Sequence, residues 1–282
     1  MPFGEATSGQ HFWERPPAPE LARHLAIVWV QSVATDAPPY THRTIPHASI
    51  ELSVELGSAP RVVGPQTGPV IETLVPGHTI VGVRFQPGAA PAVLGLPASE
   101  LVDFSIAWEE LRGPSGAALG EAIAAAASPP EAAAILERAV WRLLADAAPP
   151  DPVVCAAVER LGPWGATDVG SLPSALYISE RQLRRRSVAA LGFAPKVVQR
   201  LLRFQGFLAL AQAHEPERAD LAMLASDIGF ADQSHLTRES LGLSGLTPRA
   251  LLAEAEENCV GIHDHTTSRA PLLRSRALSL TA

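Results

Sequence analysis

Between positions 179 and 195 the chain reads SERQLRRRSVAALGFAP, with Arg181, Arg184, Arg185 and Arg186 inside six residues. A guanidinium presents paired, planar donors that fit phosphate oxygens and the O6 and N7 atoms of guanine. A basic stretch on one helix is more often a solvated face, so the chemistry needs a second signal. The chain supplies it at an offset of 53 residues, where 179–195 aligns with DQSHLTRESLGLSGLTP at 232–248. Leu183/Leu236, Arg185/Arg238, Ser187/Ser240, Gly192/Gly245 and Pro195/Pro248 are identical pairs.

Each copy opens on a helix N-cap, Ser179 or Asp232, whose side-chain oxygen can accept a free first-turn amide proton. Upstream, LPSALYIS (172–179) and LASDIGFAD (224–232) read as the end of a preceding helix and a tight turn. Each unit is therefore helix, turn, capped helix, with Gly and Pro closing it: a helix-turn-helix, twice. At about 100° per residue, Arg181, Arg184 and Arg185 fall within about 100° of one another, while Leu183, Ser187 and Ala190 lie opposite. Arg186 leans away from that face and suits a phosphate or solvent. In the second copy Ser234, Thr237 and Arg238 take the outward positions with His235 at their edge, and Leu236, Ser240 and Leu243 point inward. Recognition helices read the major groove from their N-terminal part, and tandem units can enter successive grooves about 34 Å apart. KVVQRLLRFQGFLALAQA (196–213) predicts the helix that holds the units apart. It would be about 27 Å long. Its Val197, Val198, Leu201, Leu202, Phe204, Leu208 and Leu210 would pack on both units, and Arg200 and Arg203 could reach phosphates.

The rest of the chain sets the background for these helices. The formal net charge is −7, and all of that excess lies in residues 1–150, where 8 Arg face 15 Asp/Glu. Residues 151–282 balance, and 179–203 alone carries seven basic residues against Glu180. Positive charge is thus concentrated where a polyanion would be met. An apolar fraction of 47% with 18% charged residues is that of a soluble globular protein. No apolar run approaches the ~18 residues of a membrane span, and the N-terminus has no signal-peptide pattern. Cys155 and Cys259 make no disulfide framework or zinc spacing, so the expected home is the cytoplasm, with no membrane partner.

Up to about residue 112, short apolar runs alternate with Gly and Pro: LAIVWVQSV (25–33), SIELSVEL (49–56), RVVG (61–64) and TIVGVRF (79–85). IELSVEL has the period of a half-buried strand. The fold class expected is α+β, with a β-rich, barrel- or sandwich-like domain over 1–112 that includes a helix near 89–96. A helical linker follows over 113–150, whose Leu136, Val140, Leu143 and Leu144 form an apolar stripe suited to packing or to a dimer face. An all-α domain of two helix-turn-helix units joined by a long helix spans 151–257. The tail, 258–282, lacks periodicity and is expected to be poorly ordered.

The motifs S-E-R-Q-L-R-R-R…G-F-A-P and A-S-D-I-G-F-A-D-Q-S-H-L-T-R…G-L-T-P resemble the C-terminal domain of AraC/XylS-type transcriptional regulators over about 155–255. The second motif, with Ala225, Gly229, Phe230, Arg238 and Pro248, is the more specific. The resemblance implies base contacts by Arg181, Arg184 and Arg185, and by Ser234, His235, Thr237 and Arg238. Three departures from the family pattern stand out. Ser187 and Ser240 replace the usual core aromatic, Tyr177 replaces the usual turn Gly, and Pro173 sits inside the first unit's scaffold helix. IPHASIELSVE, RVVGPQT and VGVRFQPGAAPAVLG resemble an uncharacterised N-terminal domain found on such regulators, which implies an effector-sensing or dimerising module.

Other candidates read more plainly. His42, His47 and His78 with Glu51 could imitate cupin metal ligands, but the spacing fits no trusted ligand pair and no metal is assigned. Arg84, beside Gln86, could clamp a carboxylate or phosphate, yet pairing with Glu51 or Glu55 is the stronger expectation. His263, Asp264 and His265 read as solvated, and Cys155 as a buried small hydrophobe. No nucleophile elbow, ordered triad or Walker loop occurs, so no catalytic residue and no cofactor is assigned. The sequence thus predicts a sequence-specific regulator that binds double-stranded DNA, modulated through its N-terminal domain by a small-molecule effector or by homodimerisation. A constitutive regulator whose N-terminal domain only pairs subunits is the alternative, and an N-terminal enzyme tethered to DNA a weaker one.

Overall fold

The computed structural model describes residues 9–145, 147–163, 168–213, 220–258 and 264–279. Eight strands come first: β1 (Gln10–Arg15), β2 (Leu25–Val33), β3 (Tyr40–Thr44), β4 (Glu51–Glu55), β5 (Arg61–Val63), β6 (Val70–Leu74), β7 (Thr79–Phe85) and β8 (Ser105–Ala107). A short helix α1 (Ala90–Leu94) precedes β8, where a helix was expected. The strands form a six-stranded antiparallel sheet in the order β1-β2-β7-β4-β5-β8 and a separate antiparallel ribbon, β3-β6. β2 and β7 coincide with the apolar runs read in the sequence, and β4 lies inside SIELSVEL.

Strand alternation divides the sheet into two unlike faces. Val28, Val30, Leu52, Val54, Val62, Val81 and Val83 share one face and one buried core. The other face places Phe12, Glu14, Trp29, Gln31, Glu51, Gly82 and Arg84 in neighbouring register positions. Trp29 lies across Gly82, where a Cβ would stand 2.3 Å from the indole ring, so that strand position requires glycine.

Three further helices, α2 (Trp108–Arg112), α3 (Pro114–Ala124) and α4 (Pro129–Leu144), follow β8. Within 113–150, expected to be a linker, α3 and α4 belong instead to the N-terminal core. Leu119, Ile123, Leu136 and Val140 are buried against the aliphatic face of the sheet, and Leu143 and Leu144 pack at its margin. The stripe on α4 is therefore a core face rather than a dimer face; an amphipathic pattern shows that a helix packs, not on what. Pro129 and Pro130 start α4 behind the N-cap Ser128, whose side chain accepts from the amide of Glu131.

The C-terminal domain runs α5 (Pro152–Leu161), α6 (Leu172–Ala175), α7 (Glu180–Leu191), α8 (Pro195–Gln212), α9 (Leu221–Ile228), α10 (Gln233–Ser244) and α11 (Pro248–Asn258). A single core threads both halves through α8. It joins Leu172, Leu183 and Leu191 to Val198, Leu201, Phe204, Phe207 and Leu210, and these to Leu224, Ile228, Leu236 and Leu243. Each such side chain, fully buried, contributes about 1.5–3 kcal/mol. Val197, expected to pack, is exposed. The tail also differs from expectation: residues 266–279 form α12, which packs against α8, β1 and β2. The amide of Asp264 donates to Phe12 O at 2.9 Å, the His265 ring stacks on Phe12 with centroids 4.4 Å apart, and the amide of Ser268 donates to Glu14 at 2.5 Å. Those anchors lie on a strand some 250 residues upstream, which tail periodicity could not reveal.

Candidate nucleic-acid interface

The two repeat copies fold alike because the same local devices start and stop them. At the start of α7, Ser179 Oγ accepts from the amide of Gln182 at 3.2 Å, while Gln182 Oε1 accepts from the amide of Ser179 at 2.9 Å, a reciprocal capping box. At the start of α10, Asp232 accepts from the amide of His235 at 2.6 Å. Both helices end on a left-handed glycine, Gly192 at φ +80° and Gly245 at φ +75°.

Ser187 and Ser240 are not under-filled core positions. Each is buried, and each donates its hydroxyl to the carbonyl six residues on: Ser187 to Phe193 O and Ser240 to Leu246 O, both at 2.7 Å. The hydroxyl satisfies a carbonyl in the turn that follows the helix, a group otherwise stranded in the core. The turn closes onto the serine where an aromatic would otherwise fill the core.

The wheel reading holds for the first helix. Leu183, Ser187 and Leu191 are buried, whereas Arg181, Arg184 and Arg185 are exposed and have no ion-pair partner among the described residues. Arg186 turns aside to Asp151 at 3.1 Å, the residue that caps α5. Arg185 also stands, with Arg186, at a cleft of about 480 Å³ whose far wall is Pro91, Leu96 and Pro97 of the N-terminal domain. In the second helix Ser234 and Arg238 are exposed, and Thr237 is half-buried with its hydroxyl donating to Gln233 O at 2.9 Å. His235 is held in place: its Nδ1 accepts from the amide of Ala231 at 3.4 Å and its ring meets the edge of Phe230 at 5.4 Å.

Arg200 and Arg203, expected to reach phosphates, are half-buried and engage the second unit. Arg200 pairs with Glu239 of α10, and Arg203 lies over the Phe230 ring at 5.8 Å, its pKa lowered by burial. They brace α8 against α9 and α10. No local pattern marks this pairing, because Glu239 lies 39 residues from Arg200.

The supports of the two units differ. α9 is a two-turn helix capped by Asp220 and ended by Gly229. α6 is one turn with Pro173 in its first positions, and the turn after it passes through Tyr177 at φ +55° with its side chain in solvent. Tyr177 thus takes the left-handed geometry that glycine would adopt more easily.

In the N-terminal domain the candidate residues separate. Arg84 Nε donates to Glu51 Oε1 at 2.6 Å, as expected, and His47 Nε2 lies 3.3 Å from the same oxygen. Burial opposes ionisation of Glu51, but Arg84 and His47 outweigh it and hold its pKa at about 2. Burial, then Arg84, lowers the pKa of His47. His78 pairs with Glu55 at 2.9 Å, and His42 sits 2.5 Å from the Tyr40 hydroxyl. These histidines serve separate partners, and among the described residues no three His, Cys, Asp or Glu side chains gather as a metal site. The amide of Gln86 donates to Ala22 O and Leu25 O. Cys155 is half-buried, its thiol pKa raised by burial and then by Asp151 and Glu159. His263 and Cys259 lie outside the described residues. Among the described residues no helix is long and apolar enough to cross a membrane.

Sequence reasoning missed Arg43, on the β3-β6 ribbon. It donates from Nε and its two Nη atoms to both carboxylate oxygens of Glu254 and to Ser244 O, at 2.6–2.9 Å. Nothing in the pattern of YTHRT marks that arginine, because its partners lie over 200 residues away.

Residues 13–107 match a family model described as a domain of unknown function, DUF6597. Among solved structures, a 1.65 Å structure of ToxT from Vibrio cholerae is 11% identical, with a TM-score of 0.40 over 87% of this chain and 97% of that one. A structure of unsaturated fatty acid-bound wild-type ToxT, from Vibrio cholerae strain SCE256, is 11% identical with a TM-score of 0.41, over 89% and 97%. No curated protein matches the chain in sequence. The family match thus falls on the N-terminal β-sheet region, and the helices that follow it include two repeat-related helix-turn-helix units.

Proposed function

We propose that the chain is a sequence-specific DNA-binding transcriptional regulator of the AraC/XylS type. The observation that carries this reading is the pair of repeat-related helices, α7 and α10. They share caps and buried contacts, and their N-terminal parts present Arg181, Arg184 and Arg185, or Ser234 and Arg238, to solvent. Three neighbouring exposed guanidiniums repel one another mildly on a lone surface helix, and a polyanion would relieve that repulsion. On binding, these arginines displace counterions from the phosphates and donate two bonds to a guanine edge. Thr237 and Ser234 offer hydroxyls to bases on the second site, with His235 at the margin. Arg186, Arg200 and Arg203 build the scaffold, so the phosphate contacts fall to other exposed groups.

The N-terminal domain acts in this proposal as the modulating module, through a small-molecule effector or through pairing of two chains. Its polar sheet face engages Arg84 with Glu51 internally, which favours a binding or structural role over a catalytic one. Selection of ligands from random duplex DNA, at fixed salt, tests the main claim: one motif, read in two parts a helical turn apart, should be enriched. Failure to enrich any motif counts against it. A thermal-shift survey of the full chain against metabolites then separates an effector-driven regulator from a constitutive one. A saturable rise in Tm supports the former.

A further inference from the structure

The N-terminal domain does not merely precede the reading domain; it touches both recognition helices, and at equivalent places. Gly192 ends α7, and a Cβ there would stand 2.8 Å from Val102 Cγ2 and 3.0 Å from Pro65 Cγ, so two N-terminal loops rest directly on that helix end. Its φ of +80° and this close approach both exclude other residues. Beside it, Gly88 faces Val154, Leu191 and Ala190. The repeat equivalent, Gly245, ends α10, and its turn is held by Arg43. That guanidinium is largely buried; it donates to Ser244 O at the helix C-terminus and bidentately to Glu254 of α11, at 2.6 and 2.9 Å. Between these two contacts, Gln205 of α8 donates to Pro46 O at 2.9 Å, and Ala48 enters the core of the C-terminal domain.

The contacts thus lie at the C-terminal ends of α7 and α10, while the side chains assigned to reading lie at the N-terminal ends. A small rotation at either grip is carried to the reading end by the lever arm of a helix of 12 residues. Helix C-termini carry partial negative charge, so an arginine on Ser244 O adds electrostatic to geometric hold. The planar fork can serve Glu254 and the helix end together, which a lysine's single ammonium cannot do in one geometry.

We propose that the N-terminal domain sets the relative placement of the two recognition helices, and that Arg43 is the positioning residue for the second one. This deepens the DNA-binding reading and rests on it for its consequence, but the grip itself can be measured without DNA. Spin labels at Glu180→Cys and Gln233→Cys, repeat-equivalent first residues of α7 and α10, in a full chain with Cys155→Ala and Cys259→Ser, report the distance between the reading ends. The parent should give one narrow distance; Arg43→Ala and Glu254→Gln should each broaden or shift it, and Arg43→Lys should fall between. An unchanged distance in both Arg43→Ala and Glu254→Gln overturns the proposal, and the pair of variants guards against one failing to fold. On selected DNA, the unlabelled parent should discriminate at least about tenfold against a one-base-pair change in half-site spacing, and Arg43→Ala should reduce this to about threefold or less. Retained discrimination in Arg43→Ala also overturns it. Distances that respond in a parent that selects no DNA motif would uphold the grip and sink the DNA-binding reading.

Discussion

Arginines occur in both halves of this molecule in quite different company. In the N-terminal half Arg15, Arg43 and Arg84 lie against Glu137, Glu254 and Glu51, partners drawn from distant elements. On α7 Arg181, Arg184 and Arg185 face solvent with no such partner among the described residues. A paired, partly buried guanidinium holds the fold and is lost to any external ligand, because removing it strands a carboxylate. An unpaired, exposed one contributes little to the fold and keeps its whole hydrogen-bonding capacity for something outside. Location of the partner, rather than residue type, separates structural arginines from the exposed ones proposed to read DNA.

The comparison breaks most visibly on the paired side. Arg84→Met leaves Glu51 buried with only His47, and should cost about 3–5 kcal/mol of stability by urea unfolding at neutral pH. Its pH dependence follows. Folding takes the Glu51 pKa down from 4.5 to about 2, so the associated stability is complete above 4.5 and is lost as pH falls toward 2. His47, also lowered from 6.5, binds its proton more readily in the unfolded chain, which starts the decline below 6.5. Glu51→Gln should flatten the lower limb of a Tm-versus-pH curve; an unaltered limb would remove Glu51 from this role.

On the unpaired side, Arg185→Ala should weaken binding to selected DNA by about 1–3 kcal/mol and relax one base position. Its unfolding free energy should stay within about 0.5 kcal/mol of the parent. Equal losses on selected and random duplexes would reassign Arg185 to phosphate.

Ser187→Ala removes the partner of a buried carbonyl and should cost about 1–3 kcal/mol. Ser240→Ala should cost less, because Ser244 Oγ lies 3.1 Å from Leu246 O and its hydroxyl can turn to that carbonyl from Ser240 O. Equal costs would show that the two units close their turns with different energetics than these hydrogen bonds imply. The smallest effect is at the first unit's turn. Tyr177→Gly should raise stability by up to about 1 kcal/mol, relief of the left-handed backbone exceeding the added chain entropy. A lower Tm in that variant would show that the tyrosine's conformation is not a cost.

Local signals made much of this molecule legible. Ser179 and Asp232 marked helix starts, and Gly192 and Gly245 marked their ends. The 53-residue repeat of Leu183 and Ser187 then fixed which side of each helix is buried. The long helix α8 and the strands β2 and β7 were equally readable, since apolar period and turn residues act within a few positions. The stripe on α4 was visible, but its burial against the sheet was not. Serines 187 and 240 looked misplaced until their turn carbonyls came within reach.

By itself the sequence determined the two capped repeat helices, their common inward face and the outward set Arg181, Arg184, Arg185 and Arg238, because capping and helical period depend on neighbours along the chain. Only the tertiary structure decided that Arg186, Arg200 and Arg203 engage Asp151, Glu239 and Phe230, that α3 and α4 complete a core, and that Arg43 holds the C-terminal end of α10. Each of those depends on a group brought close by folding from tens to hundreds of positions away, and a carboxylate or carbonyl so placed leaves no local trace.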